Sequence, residues 1–139
     1  MVSQVLVPMD DSEMAKKALR YALKVHSDAD ITVFHVVGEP SAMMGEAVSL
    51  ALEDDIQQAA EELSESVFEK AREIASEYNT EIHTAVAWGT PAKEIVKRAS
   101  NFDVVILGSH AGSIAERIFI GNVAKTVFQR SPVPVTVVR

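Results

Sequence analysis

Five short apolar runs alternate with stretches whose apolar residues recur near every third or fourth position, and no other feature of this chain constrains its fold as tightly. The runs are Val2–Val7, Ile31–Val37, Ile82–Ala87, Asp103–Leu107 and Val135–Val138. A strand with one wet face alternates apolar and polar residues. A run such as Ile31–Val37, nearly all apolar, needs cover on both faces. The stretches between the runs supply that cover. Ser12 is placed to cap a first helix, with Ala15, Ala18, Leu19, Ala22, Leu23 and Val25 on one face. A long helix is predicted from about Ala47 to Tyr78, with Leu52, Ile56, Ala59, Leu63, Val67, Ala71, Ile74 and Tyr78 as its buried stripe. Thr90-Pro91 has the form of a cap followed by proline at the first helical position, and Gly121-Asn122 opens a helix through Gln129. The order β-α-β-α-β-α-β-α-β predicts a doubly wound, five-stranded parallel sheet with helices on both faces. Ser41–Glu46 and Gly108–Ile120 fit no regular element, and a length of 139 residues suits one domain over the whole chain.

Charge narrows the partners. The net charge of −7 argues against broad contact with nucleic acid or an anionic membrane. It is also localised. From Glu53 to Glu77 there are nine carboxylates against two cations, a balance of −7, so the remainder is neutral and an anion site there is not forbidden. The absence of cysteine excludes disulfides and thiolate chemistry. No apolar run approaches the ~20 residues of a membrane span, and Met1–Asp10 turns polar too soon for a signal peptide. The expected location is cytoplasmic.

Open parallel sheets bind ligands outside the carboxyl ends of their strands, so the residues after each run matter most. These are Pro8-Met9-Asp10-Asp11-Ser12, Gly38-Glu39-Pro40, Trp88-Gly89-Thr90 and Gly108-Ser109-His110-Ala111-Gly112-Ser113. The last is rich in small residues that let a backbone approach a ligand closely. Gly121-Asn122 then begins a helix, whose free amides can receive a phosphate. Two readings stay open on spacing alone: an anion cradle, or glycines that only make turns. His110 inside this loop is either a phosphate donor or an ordinary surface residue, and Arg117 and Lys125 are candidate phosphate partners.

Three segments together resemble the universal stress protein family. They are Val5-Leu6-Val7-Pro8-Met9-Asp10-Asp11-Ser12-Glu13, Phe34-His35-Val36-Val37, and a C-terminal set of Gly108-Ser109-His110-Ala111, Gly121-Asn122-Val123-Ala124 and Ser131-Pro132-Val133-Pro134-Val135. The resemblance spans the chain. It implies a Rossmann-like fold of the adenine nucleotide alpha hydrolase type, with strand order 3-2-1-4-5. It further implies a stress-response regulator that binds ATP, or ATP with Mg²⁺, as a switch. Pro8, Met9 and Asp10 would then meet the ribose or base side and the Val36 backbone the adenine. Gly108, Ser109, His110, Ala111 and Gly112, with Gly121, Asn122 and Val123, would wrap ribose and phosphates. The nucleotide-binding branch carries Gly-x-x-Gly, nine residues, then Gly-Ser or Gly-Thr. Here Ala111 holds the place of the second glycine and Asn122 that of the serine. These departures leave a rival of another class, a dimeric interaction module of the same family that binds no nucleotide. The resemblance also puts the last strand at a sheet edge, where Val133–Val138 would pair with a second copy. A further protein partner is implied but not identified.

Other chemistries find no support. There is no P-loop, dinucleotide fingerprint or nucleophile elbow. A phospho-receiver would need an acid at the end of the third strand, which reads Ala85-Val86-Ala87-Trp88. The four histidines, His26, His35, His83 and His110, lack paired metal-ligand spacing. No general base or nucleophile is evident, so no enzymatic activity is expected. Glu61, Glu65, Glu69, Glu73 and Glu77 form a drifting acidic ridge, which reads first as a solvated face or an adaptation to salt, with a basic partner or divalent cations as the sharper alternative.

Overall fold

The computed structural model describes residues 2–38, 53–109 and 122–139. Five strands, β1 (Gln4–Pro8), β2 (Asp30–Val37), β3 (His83–Trp88), β4 (Val104–Gly108) and β5 (Val135–Val138), form one parallel sheet in the order β3-β2-β1-β4-β5. Among the described residues four helices accompany them: α1 (Glu13–Val25), α2 (Glu53–Ser76), α3 (Pro91–Ala99) and α4 (Asn122–Arg130). The expected architecture and strand order are both present. The unassigned segments 41–46 and 110–120, and the predicted start of the long helix, lie outside the described residues.

Strand pleating divides the core in two. Val5, Val7, Ile31, Val33 and Ile106 face α1 and α2, where Ala18, Leu19, Leu23, Val67, Ala71 and Ile74 are buried. Leu6, Phe34, Val105 and Leu107 face α3 and α4, where Ile95, Ala99, Ala124 and Val127 are buried. This two-sided burial is why the strands read as continuous apolar runs.

Local chemistry sets several boundaries as expected. The Ser12 hydroxyl accepts the Ala15 amide at 3.1 Å, capping α1. Pro91 opens α3 after Thr90, whose side chain makes no cap bond. Helix α2 stops at Ser76, short of the expected Tyr78. Asn79 turns left-handed at φ 54° and the Thr80 amide returns to the Ala75 carbonyl at 3.1 Å, a helix-terminating arrangement.

The buried stripe of α2 is the main correction. Val67, Ala71 and Ile74 are buried as expected, but Leu63 is 59% exposed and Ala59 is only half-buried. Ala60, Ser64 and Phe68 occupy the interior instead. Ala60 and Ser64 are small enough to let the helix approach the sheet. The Ser64 hydroxyl is satisfied within the helix by the Ala60 carbonyl at 2.7 Å, so its burial leaves no polar group unpaired. Leu52 and the side chain of Ile56 lie outside the described residues.

At the amino end of the sheet, Asp103 fastens β1 to the strand beside it. One carboxylate oxygen accepts from the Ser3 amide at 3.0 Å, the Ser3 hydroxyl at 2.9 Å and the Gln4 amide at 2.9 Å. Those donors hold the Asp103 carboxyl below its ordinary value, the Ser3 amide foremost.

Candidate functional site

β1 is the central strand, and its two neighbours pair with it to different extents. The ladder with β2 is registered from Gln4↔Asp30 through Pro8↔Phe34. The ladder with β4 is registered only at Val5↔Val104 and Leu6↔Val105, although β1 continues to Pro8 and β4 to Gly108. The two strands therefore part at their carboxyl ends. They do so where the strand order reverses, the position at which open α/β sheets take ligands.

The β1 side of this crevice is tightly built. Pro8 and Met9 are buried. The Met9 amide donates to the Phe34 carbonyl at 2.8 Å, and its carbonyl meets His35 Nδ1 at 2.7 Å. A carbonyl only accepts, so His35 carries a proton on Nδ1. With its side chain in the core and both main-chain groups engaged, Met9 positions the turn rather than offering a free group. Asp10 is half-buried, and its Oδ1 accepts the Ser12 amide at 2.8 Å. This Asx turn delivers Ser12 to its capping position. The second Asp10 oxygen has no partner among the described residues.

Val36 is set by alternation. Phe34 turns its carbonyl towards β1, where Met9 donates to it. Two residues on, Val36 aims its N–H and C=O the same way, past Pro8, the last β1 residue in the ladder. The main chain of Val36 thus faces the crevice while its side chain packs on the α3 side.

On the β4 side, Gly108 has a packing role that spacing did not suggest. A Cβ there would lie 2.8 Å from the Met14 carbonyl oxygen and 2.9 Å from its carbonyl carbon. The first turn of α1 thus requires glycine at this position, whether or not a ligand is bound. Ser109 is buried and its amide donates to the Val138 carbonyl at 2.8 Å, which extends the β4–β5 ladder. Asn122 and Val123 form the exposed first turn of α4, and Lys125 is exposed on the same helix. His110, Ala111, Gly112, Arg117 and Gly121 lie outside the described residues. Among the described residues, no three His, Asp or Glu side chains cluster in a way that would hold a metal.

Two features escaped the sequence reading. The His35–Met9 contact was hinted at by a histidine inside an apolar strand. Gly89 stands at φ 144°, with its amide on the Val37 carbonyl at 3.0 Å, and fixes the turn from β3 into α3.

The model of the universal stress protein family matches residues 1–139. The universal stress protein MJ0531 of Methanocaldococcus jannaschii is 28% identical, over 98% of this chain and 81% of its own length. Universal stress protein YxiE of Bacillus subtilis is 28% identical with full coverage of both chains. Among solved structures, UspA of Lactobacillus plantarum superposes with a TM-score of 0.78 at 20% identity, over 99% of this chain and 98% of that one. A universal stress protein in complex with cAMP gives 0.73 at 20% identity, covering 99% and 97%. A universal stress protein of Archaeoglobus fulgidus in complex with dAMP gives 0.62 at 22% identity, covering 100% and 98%.

Proposed function

Because this chain belongs to the universal stress protein family, we propose that it is a stress-response regulator that holds an adenine nucleotide, ATP or ATP with Mg²⁺, in the crevice between β1 and β4. The observation that carries the reading is the parting of these strands beyond Leu6 and Val105, with the main chain of Val36 turned past the end of the β1 ladder on one wall. An amide and a carbonyl on one residue are suited to the donor and acceptor edge of adenine. The Asp10 oxygen that has no partner among the described residues is an acceptor for a ribose hydroxyl. The first turn of α4, at Asn122 and Val123, offers amides to phosphate. Relatives of the same fold in complex with cAMP and with dAMP support the adenine class. Mg²⁺ commonly binds through phosphates, water and one or two carboxylates, and in this reading Asp10 would supply a carboxylate. The reading includes no enzymatic turnover. The nucleotide acts as a switch seen by a protein partner.

One observation favours the rival, an interaction module without nucleotide: Gly108, the first glycine of the motif, is already required by α1. Calorimetric titration of the purified chain with ATP, AMP and cAMP separates the two. Micromolar binding of any of them supports the switch, and no heat at about 1 mM nucleotide leaves the interaction module.

We also propose a homodimer through Val133–Val138. β5 is an edge strand. Val105 donates to the Pro134 carbonyl and Ser109 to that of Val138, so alternation turns the main chains of Val135 and Val137 outward. Val137 packs its side chain into the α3–α4 core, so Val137→Lys would injure the fold itself. Val137→Pro removes an outward N–H and no internal ladder bond. Light scattering should report a dimeric wild type and a folded, monomeric variant. A wild type that stays monomeric at about 100 μM would defeat the proposal.

A further inference from the structure

The opposite edge of the sheet carries a second feature, independent of the nucleotide crevice. β3 is the other edge strand, and α2 lies along it. Between them runs a groove of about 430 Å³, lined by Glu61, Glu65 and Phe68 of α2 and Thr84 and Val86 of β3, with Arg72 at one end. The Gly89 amide bonds to Val37 of β2, so alternation turns Ala85 and Ala87 inward and leaves the N–H and C=O of Thr84 and Val86 facing out along the edge. Such main-chain groups are a template for an added strand.

Charge selects the occupant. Glu65 accepts from Arg72 at 3.1 Å, whereas among the described residues Glu61 receives only the neutral amide of Gln57 at 3.4 Å. Glu61 is thus an exposed carboxylate with no cation on it among the described residues. The spacing also suits an extended chain. Residues four apart on a helix rise about 6 Å. Alternate residues of a strand rise about 6.6 Å. A strand laid on β3 would therefore bring every second side chain past successive carboxylates of α2. A second copy of this chain is the wrong occupant. Pairing β3 with its own copy about a two-fold axis would set two acidic α2 helices side by side on one face.

We propose that this groove accepts an extended basic segment of another protein as a sixth strand beside β3, with a Lys or Arg of that segment on Glu61. The test uses the full chain, labelled for NMR, and an acetylated and amidated peptide of three Lys-Thr repeats, with three Glu-Thr repeats as control. At about 1 mM the basic peptide should slow hydrogen exchange of the Thr84 and Val86 amides about tenfold, and the acidic one should not. Glu61→Gln should weaken binding about fivefold, while Glu73→Gln, the same charge change elsewhere on the ridge, should leave it nearly unchanged. Two results would overturn the proposal. In one, Thr84 and Val86 exchange unchanged, or both variants weaken binding equally, as diffuse attraction to the ridge requires. In the other, protection of these amides rises with protein concentration and no peptide, which assigns the edge to a second copy.

Discussion

The two ends of the β1–β4 strand pair are built in opposite ways. At the amino end, Asp103 takes the amides of Ser3 and Gln4 and the Ser3 hydroxyl, and its own amide returns to the Gln4 carbonyl at 2.9 Å. At the carboxyl end the ladder stops at Leu6↔Val105, with residues of both strands still to come. One strand pair thus supplies a sewn end that holds the sheet and a parted end that can admit a ligand. Side-chain chemistry follows the division. At the sewn end one Asp103 oxygen gathers three donors, whereas at the parted end one Asp10 oxygen takes a single amide and the other has no partner among the described residues.

Gly108 offers the strongest way to break this comparison, because it stands at the parted end yet serves packing. Gly108→Val should destabilise the fold by about 2–3 kcal/mol, since the new side chain meets the Met14 backbone rather than a flexible tip. Urea denaturation without nucleotide measures it. A change within about 0.5 kcal/mol would mean that α1 does not rest on this residue.

Asp10 sharpens the comparison by separating its two roles. Asp10→Asn keeps an oxygen for the Ser12 amide and should leave stability nearly unchanged, while weakening ATP binding about tenfold. Asp10→Ala loses the turn as well and should cost about 1 kcal/mol. Calorimetry with ATP and thermal melts on the pair of variants provide the check. Equal ATP affinity in wild type and Asp10→Asn would confine Asp10 to the turn.

The smallest effect belongs to the sewn end, where Asp103 is exposed. Its folded-state pKa lies below the ordinary value of 3.8, so its stabilising contribution is fully present above that value and is lost as pH falls through the folded one. Asp103→Asn should therefore be less stable than wild type at neutral pH, and the difference should shrink as pH falls below the ordinary value of 3.8. A gap that persists unchanged in acid would show that the carboxylate's charge is not what Ser3 and Gln4 require.

The contrast between the ends was unevenly legible in the sequence. The parted end was foreshadowed: the motif residues fall after β1 and β4, and the crevice lies there. The sewn end left no local trace, because Asp103 meets Ser3 and Gln4 across nearly the whole chain. The reading of α2 shows the same limit. Its period and its Val67-Ala71-Ile74 face were plain, but Leu63 had been placed inside on hydrophobicity and Ser64 was left out of the stripe. The fold reversed both because small residues, with the serine hydroxyl bonded back to Ala60, let the helix lie closer to the sheet.

By itself the sequence determined what depends on near neighbours. Continuous apolar runs demanded strands covered on both faces, helical periodicity supplied the cover, and Ser12 and Pro91 marked helix starts, because pleat, period and caps act over a few residues. The motifs, taken together, also placed the chain in its family. The tertiary structure alone decided the rest: that Gly108 is bare because α1 crosses it, that His35 holds the Met9 carbonyl, and that β1 and β4 separate after Leu6 and Val105. Each of these joins residues from different elements. Their distances are fixed only when helices and strands have packed, and no local pattern of residues encodes that geometry.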